Sequence, residues 1–241
     1  MKRIILLSSI IILTQMAMAE SPINKEVYIE KPTVCPNPQP MSLLVKPKDY
    51  SVSLLTKGSV DICKGVIIAP SWILTAKHCV STKLSHITNG ERKDKLKIDK
   101  KIRFQRADMA LLKLKKPVFL AKNIVTLSAQ PLLKEYGIID YKKVTHNASK
   151  GMPRVYTELK LKVKSQRGLK SLTPAGISGS SGSPWVVNTD IGDVVIGITH
   201  GGGRAPQVSL AKKWIDTVLK KNTPDETVKW LNNRDVIIQS Q

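Results

Sequence analysis

The sequence predicts an all-β protein with one helix near the end of the chain, and three observations lead to this prediction. From about residue 50 onward, short apolar runs alternate with turn-forming residues at the intervals typical of β-domains. Residues 157–163 alternate between apolar or hydroxyl side chains and charged ones, as in a strand with one buried face. Aromatic residues are few, with five Tyr, two Phe and four Trp. The core must therefore rely on Val, Ile and Leu, and the β-branched members of that set favour strands.

The predicted strands follow one another along the chain, joined by turns. They are 51–55, 65–68, 72–75, 95–104, 109–114 and 157–163, then 185–187 and 194–198, which a turn over 188–193 joins into a hairpin. Residues 209–222 form the predicted helix, with one apolar face made of Leu210, Trp214, Ile215, Val218 and Leu219. Pro224 ends this helix, and the tail at 223–241 has no functional interpretation.

The first 19 residues predict a cleavable signal peptide. Lys2 and Arg3 form a positive start, residues 4–13 are a short apolar run, and residues 17–19 are a small-residue cleavage site. The alternative, a membrane anchor, is disfavoured because the run is too short to span a bilayer. We therefore expect a mature chain that begins at Glu20 and is secreted or periplasmic, without a transmembrane segment.

The chain has three cysteines, so at most one internal disulfide can form. An exported protein meets conditions that permit such bonds. Cys63 lies at the entry to one predicted strand, 65–68, and Cys79 lies just past the end of the next, 72–75, and a hairpin would bring the pair together. Cys35 lies in a proline-rich arm over residues 20–41, and it is either free or paired with another chain.

The formal net charge is +21, or about +19 without Lys2 and Arg3. Such a field attracts anionic partners, including acidic substrates, lipid headgroups, cell-wall polymers and nucleic acids. The lysines are spread along the chain without interleaved aromatic residues or a nucleic-acid motif, so specific nucleic-acid binding is not predicted. A solvated basic surface is the simpler interpretation of the charge.

Two segments carry a base and the group that would orient it, as acyl-transfer hydrolysis requires. His78 follows a predicted strand and adjoins Cys79, whose disulfide would hold it. Asp108 opens an apolar strand, where its carboxylate can be buried against an imidazole. Taken alone, the histidine could equally be an ordinary core or surface residue, and the aspartate an ordinary residue at a strand end.

The nucleophile would be Ser181, in the segment Gly-Ser-Ser-Gly-Ser-Pro at residues 179–184. Glycines on both sides of the serine permit a tight, exposed turn. In such a turn the amides of Gly179 and Ser181 can point at one spot and form an oxyanion hole. A flexible Gly/Ser loop is the alternative, but a proline and an apolar strand directly follow the segment.

In the order His, Asp, Ser, these segments resemble the chymotrypsin-like (trypsin-like, S1-type) serine peptidases. The resemblance covers about residues 50–222 and includes residues 197–202, 206–208 and the helix. It implies that His78 is the general base and acid, Asp108 its orienting partner and Ser181 the nucleophile. It also implies two six-stranded antiparallel β-barrels, over residues 42–120 and 121–208, with the triad at their junction, and it supports the Cys63–Cys79 disulfide.

The sequence departs from the animal members of that family at Ser180. Those members have an aspartate there, which binds the new N-terminus created by activation cleavage. No Ile-Val-Gly-Gly-like segment precedes Ser51, so this activation switch is not expected. The serine segment is more similar to the bacterial glutamyl-endopeptidase branch. Residues 20–41 are an arm or a propeptide, and the spacing of 30 residues from His78 to Asp108 is short for the family.

The resemblance also indicates where the substrate pocket would lie. Ala175, six residues before the nucleophile, has no carboxylate, which disfavours cleavage after Arg or Lys. Thr199 and His200 would lie on the opposite wall, where a histidine in a basic field suits an acidic residue before the cleaved bond. The alternative is an uncharged pocket, with Gly202 in its wall, that accepts small or apolar side chains.

The function predicted is that of a secreted serine endopeptidase, monomeric, acting on polypeptides through an acyl-enzyme and without cofactor or metal. The four histidines are scattered and form no His-Glu-x-x-His pattern, which disfavours a metal-dependent hydrolase. The alternative is a catalytically weak or inactive protease fold that serves as a cationic binding or adhesion module on anionic surfaces. The high positive charge supports that alternative.

Overall fold

A computed structural model describes most of the chain from residue 50 onward. The described residues are 42–43, 50–81, 83–89, 92–134, 137–147, 152–173, 179–189 and 191–232. The predicted signal peptide, the arm at 20–41, Cys35 and Ala175 lie outside these ranges. Among the described residues, none forms a helix with the length and apolar character needed to cross a membrane.

The described residues form 15 strands and one α-helix. The first seven strands are β1 (Ser42–Leu43), β2 (Ser51–Thr56), β3 (Asp61–Ala69), β4 (Trp72–Thr75), β5 (Leu84–Asn89), β6 (Arg92–Arg103) and β7 (Ala110–Leu114). The remaining strands are β8 (Thr126–Ser128), β9 (Ile138–Asn147), β10 (Met152–Ser165), β11 (Gly168–Ser171), β12 (Pro184–Thr189), β13 (Gly192–Ile198), β14 (Arg204–Pro206) and β15 (Trp230–Leu231). The helix is α1 (Lys212–Asn222).

The first half of the fold is a closed six-stranded barrel. Its strands follow the order β2-β3-β4-β7-β6-β5 and every pairing is antiparallel. All four residues of β4 are buried, as are the last seven of β3. Such continuous apolar runs arise because one face of each strand fills the barrel and the other packs against neighbouring elements.

The second half is a curled sheet of nine strands in the described part of the chain. Its main path is β14-β11-β10-β9-β12-β13-β8-β15, and β1 pairs with β10. In β10, Leu159, Leu161 and Val163 are buried while the lysines between them are exposed, as the sequence alternation predicts. The all-β class with a C-terminal helix is therefore confirmed.

The second sheet differs in detail from a six-stranded antiparallel barrel. Segments outside the predicted strand set add to it, because β1 joins one side and β15, from the predicted tail, joins the other. The short strand β8 pairs in parallel with both β13 and β15. Strands of two or three residues are too short to show an alternating pattern, and these are defined by their hydrogen-bonding partners.

The segment after α1 binds the first barrel. Glu226 accepts hydrogen bonds from the amide and hydroxyl of Ser71, at 2.8 and 2.7 Å. Thr223 accepts one from the indole of Trp72 at 2.7 Å. The predicted tail thus has a structural role, since it ties the turn between β3 and β4 to the end of the helix.

Candidate active site

His78 follows β4 and is held by a disulfide. A single 3₁₀ turn, Lys77–Cys79, comes directly after the strand. Cys79 is bonded to Cys63 of β3, with Cα atoms 5.9 Å apart, which confirms the predicted bridge. Both cysteines are buried, whereas the His78 side chain is 44% exposed. The crosslink therefore fixes the backbone at the histidine while its ring stays open to solvent.

Asp108 lies in the bend between β6 and β7 and contacts His78 twice. Its Oδ2 is 2.7 Å from His78 Nδ1, and its Oδ1 accepts a hydrogen bond from the His78 amide at 3.0 Å. The Asp108 side chain is only 14% exposed. Asp108 thus contacts both the backbone and the ring of His78, so its carboxylate sets the position and the orientation of the imidazole.

A second imidazole binds the same carboxylate oxygen. Nδ1 of His200 hydrogen-bonds Asp108 Oδ2, and the rings of His78 and His200 meet edge to face with centroids 5.8 Å apart. The sequence predicts His200 in the wall of the substrate pocket, as a partner for an acidic side chain. The ring nitrogen Nδ1 is instead bound to Asp108, which leaves only Nε2 for any other partner.

Asp108 is ionised at neutral pH. Burial acts to raise the pKa of this carboxyl, but hydrogen bonds from the rings of His200 and His78 and from the His78 amide outweigh it, and the pKa lies below its usual value. An ionised carboxylate can only accept hydrogen bonds, so both histidines carry a proton on Nδ1. In neutral His78, Nε2 is then unprotonated and able to accept a proton.

The loop that carries Ser181 is bound to both halves of the fold. Lys64 of β3 donates its amide to the Ser181 carbonyl at 2.7 Å, and Gly182 donates to the Thr199 carbonyl at 2.8 Å. Lys64 adjoins Cys63, whose disulfide partner adjoins His78. The backbone of Ser181 is therefore connected to the backbone of His78 through one hydrogen bond to Lys64 and the disulfide that the neighbours of Lys64 and His78 form.

Gly182 is required by the close approach of this loop to the first barrel. Its φ is +83°, a backbone angle that residues other than glycine rarely adopt. A Cβ atom at this position would lie 2.1 Å from the Lys64 carbonyl oxygen and 2.5 Å from Thr75 Oγ1. The second glycine of the predicted motif thus permits the contact between loop and barrel.

Lys143 is a buried cation bound to Ser180, the residue before Ser181. It lies in β9, is 2% exposed, and donates from Nζ to Ser180 Oγ at 2.8 Å. Burial lowers the pKa of its amine to about 8. Ser180 is itself 5% exposed, so the contact joins two buried side chains next to Ser181.

The other predicted pocket residues have different surroundings from those expected. Thr199 is 3% exposed, and its hydroxyl accepts from the Trp185 indole at 3.0 Å and donates to the Ser183 carbonyl at 2.8 Å. Its side chain therefore belongs to the core, where it supports the serine loop. Ala175 lies outside the described residues, so its predicted role is untested.

The Gly-rich segment forms a tight hairpin. Gly202 and Gly203 have φ of +57° and +68°, and the Arg204 amide donates to the Gly201 carbonyl at 3.1 Å. Positive φ at both central positions is typical of a type I′ turn. Gly202, predicted in the wall of an uncharged pocket, is therefore one of the two central residues of this turn.

The contacts of Lys143 and His200 are not indicated by the sequence. Lys143 follows another lysine, and a pair of lysines is typical of a solvated surface. Only the nearby Tyr141 and Val144, which are buried in the same strand, could have indicated that Lys143 is buried. The contact between His200 and Asp108 joins residues 92 positions apart. No local pattern encodes it, since it depends on how the two halves pack.

One group of side chains in the site has the donor set of a cation site. Ligand atoms of His78, Asp108 and His200 all lie within 4.8 Å of one another. Nitrogen and oxygen donors of this kind suit zinc and similar ions. In the structure, Nδ1 of each of these histidines is hydrogen-bonded to Asp108 Oδ2.

Comparison with known families identifies one match. The family model described as Trypsin matches residues 45–215, a range that includes His78, Asp108 and Ser181. No significant match was found among curated proteins. The matched range covers the whole closed barrel, all strands of the curled sheet except β1 and β15, and the start of α1. Proteins with this domain are in general serine endopeptidases.

Proposed function

The chain belongs to the trypsin family, and from that membership we propose that it is an active serine endopeptidase with His78, Asp108 and Ser181 as its catalytic residues. The observation that carries the proposal is the 2.7 Å contact between His78 Nδ1 and Asp108 Oδ2 in a site tied to the serine loop. Nucleophile, base and orienting group then fill the three roles that peptide hydrolysis needs.

In this proposal His78 Nε2 takes the proton of the Ser181 hydroxyl as the oxygen attacks the substrate carbonyl carbon. The negative oxygen that forms is bound by the amides of Gly179 and Ser181. His78 then returns the proton to the departing amine, and an acyl-enzyme remains. Water, activated by the same imidazole, hydrolyses the ester and restores the serine. Ionised Asp108 stabilises the imidazolium in both steps.

Lys143 supports the proposal that no new N-terminus is needed. Its ammonium donates to Ser180, beside the two amides of the oxyanion hole. A positive charge carried within β9 would hold the loop without a cleavage event. We propose that this contact keeps the serine segment at residues 179–184, which is similar to that of the glutamyl endopeptidases, in its active conformation.

Specificity and location are also proposals. We propose cleavage after residues other than Arg and Lys, with either an acidic or a small apolar side chain before the cleaved bond. The contact of His200 with Asp108 leaves only Nε2 to bind an acidic group, which favours the uncharged pocket. The signal-like segment at 1–19 and the disulfide support export to an oxidising compartment.

Labelling with a serine-reactive phosphonate tests the proposal. The mature protein should be labelled, and the variant Ser181→Ala should not, while Ser183→Ala should keep its label if it folds. Digestion of a peptide library would then report the cleavage sites, and cuts chiefly after Lys or Arg would contradict the proposed pocket. A folded wild type that takes no label would point instead to a cationic binding module, the function that the net charge favours.

A further inference from the structure

A basic cavity opens beside the histidine–aspartate pair. It has a volume of about 550 Å³, and Asp108 and His200 form part of its wall. Five cationic side chains also line it, together with several apolar residues, and these cations are Arg106, Lys164, Arg167, Lys170 and Arg204. Asp108 is the only acidic residue in the wall among the described residues. A volume of this size holds one or two side chains of a ligand.

Within the described part of the chain, the positive charges of this cavity have no acidic partner in an ion pair. None of the five cationic residues forms an ion pair with another described residue. The single carboxylate of the wall is already bound by two imidazoles. Cations gathered in a concave surface without counter-charges raise the local concentration of anions, so the ligand that fits the cavity is anionic.

Two of the cavity's cations lie on neighbouring, hydrogen-bonded strands. β11 and β14 pair antiparallel through Gly168–Pro206, Leu169–Ala205 and Lys170–Arg204. Leu169 and Ala205 are buried at 2% exposure, while the neighbouring Lys170 and Arg204 are exposed. Strand alternation therefore directs two cations outward from one cross-strand pair.

We propose that this cavity binds an acidic side chain of the polypeptide substrate, at a residue other than the one whose carbonyl is attacked. The attacked residue must lie against Ser181, and no residue from 179–183 lines the cavity. Asp108 and His200 do line it, so a flanking residue of a bound substrate is within reach. The inference rests on the proposed peptidase function and adds the substrate class: peptides with Asp or Glu near the cleaved bond.

Paired peptides test the proposal. Each pair would share one cleaved bond and differ by Glu or Gln at a single flanking position, with several positions on both sides sampled in turn. For wild type we expect kcat/KM to favour Glu about tenfold at one position, the size that a few partly exposed charge pairs provide. The triple variant Arg167→Gln, Lys170→Gln, Arg204→Gln should reduce that ratio to about one to two.

A matched control removes three charges elsewhere. Lys213, Lys220 and Lys221 are exposed on α1 and do not line the cavity. Their replacement by Gln changes the net charge equally and should leave the ratio at its wild-type value. An equal loss in this control would assign the preference to the overall field and overturn the site.

The possible failures are distinguishable. Hydrolysis without a Glu preference at any flanking position, or with a preference that survives the triple variant, overturns the cavity proposal and leaves the peptidase intact. Absence of both hydrolysis and phosphonate labelling in folded wild type overturns both. In a third outcome, wild type binds inorganic polyphosphate, the triple variant does not, and the Glu/Gln ratio of kcat/KM is the same in both proteins. That outcome would overturn the substrate proposal and assign the cavity to an anionic polymer.

Discussion

Replacement of Lys143 by methionine should stabilise the fold at neutral pH and slow hydrolysis. The structure buries the amine and lowers its pKa from 10.5 to about 8. In the unfolded chain the amine keeps its ordinary pKa. A difference of about 2.5 pKa units corresponds to about 3 kcal/mol of destabilisation wherever both states bind the proton, which means below about pH 8.

The sign of the pH dependence follows from the same difference. Between about pH 8 and 10.5 the unfolded chain binds more protons at this site than the folded one, so wild-type stability gains from Lys143 as the pH rises. Methionine has no such gain. We expect the variant to be more stable by about 2 kcal/mol at pH 7, after a loss of about 1 kcal/mol for the hydrogen bond to Ser180. The advantage should disappear towards pH 10.5.

Urea unfolding at pH 7, 9 and 10.5 measures this difference, with Ser181→Ala in both proteins to prevent self-digestion. Lys142→Met is the matched control, because Lys142 is the half-buried neighbour on the other face of β9, and its difference from wild type should vary less with pH. If the difference in unfolding free energy between Lys143→Met and wild type stays constant from pH 7 to 10.5, the claim that burial lowers the pKa of the Lys143 amine is refuted.

The activity of the same variant tests the positioning role. With Ser181 intact, Lys143→Met should lower kcat roughly ten- to a hundredfold with little change in KM, since the oxyanion amides act mainly on the transition state. Lys142→Met should keep wild-type kcat. An unchanged kcat for Lys143→Met would show that the loop holds its conformation without the ammonium.

Three further predictions concern the site. Asp108→Asn should lower kcat about 10³- to 10⁴-fold in a peptide assay. Because the folded state depresses the pKa of Asp108, its stabilising contribution is fully present above about pH 4 and is lost as the pH falls through the lower folded pKa, so the stability difference between variant and wild type should begin to shrink only below about pH 4. Gly182→Ala should cost more than about 2 kcal/mol and abolish phosphonate labelling, since φ is +83° and the Lys64 carbonyl blocks the added methyl group; a wild-type melting temperature would contradict this. Removal of the Cys63–Cys79 bridge, which spans 16 residues, should cost about 3 kcal/mol in urea unfolding under oxidising conditions, and a loss below about 1 kcal/mol would contradict it.

Local patterns predicted the strands well because each pattern reflects burial along one strand. The hairpin predicted over 185–198 is β12 and β13, and the alternating residues 157–163 lie within β10. The helix was predicted at 209–222 and occupies Lys212–Asn222 after a 3₁₀ turn. The missed strands are of two kinds. β1, β8, β14 and β15 have two or three residues and are defined by their pairing partners. β5, β9 and β11 have four to ten residues, but polar and charged side chains interrupt their apolar residues, so no regular pattern indicates a strand.

The site was predictable where chemistry requires a residue type in a local context. His78 beside Cys79, Asp108 before an apolar run and Ser181 between glycines carry such contexts. The environments of His200 and Lys143 were not predictable, because they arise when separate segments meet in the folded chain. A lysine beside a lysine gives no local sign that one of the two is buried.

The contacts of Glu226 and Thr223 with the turn between β3 and β4 have a consequence for biosynthesis. These hydrogen bonds join residues 155 and 151 positions apart, and β15 completes one edge of the curled sheet. Synthesis must therefore proceed at least as far as Leu231 before the native contacts can all form, and contacts of such sequence separation form slowly. Removal of residues 223–232 would leave the turn between β3 and β4 and one edge of the curled sheet without these partners.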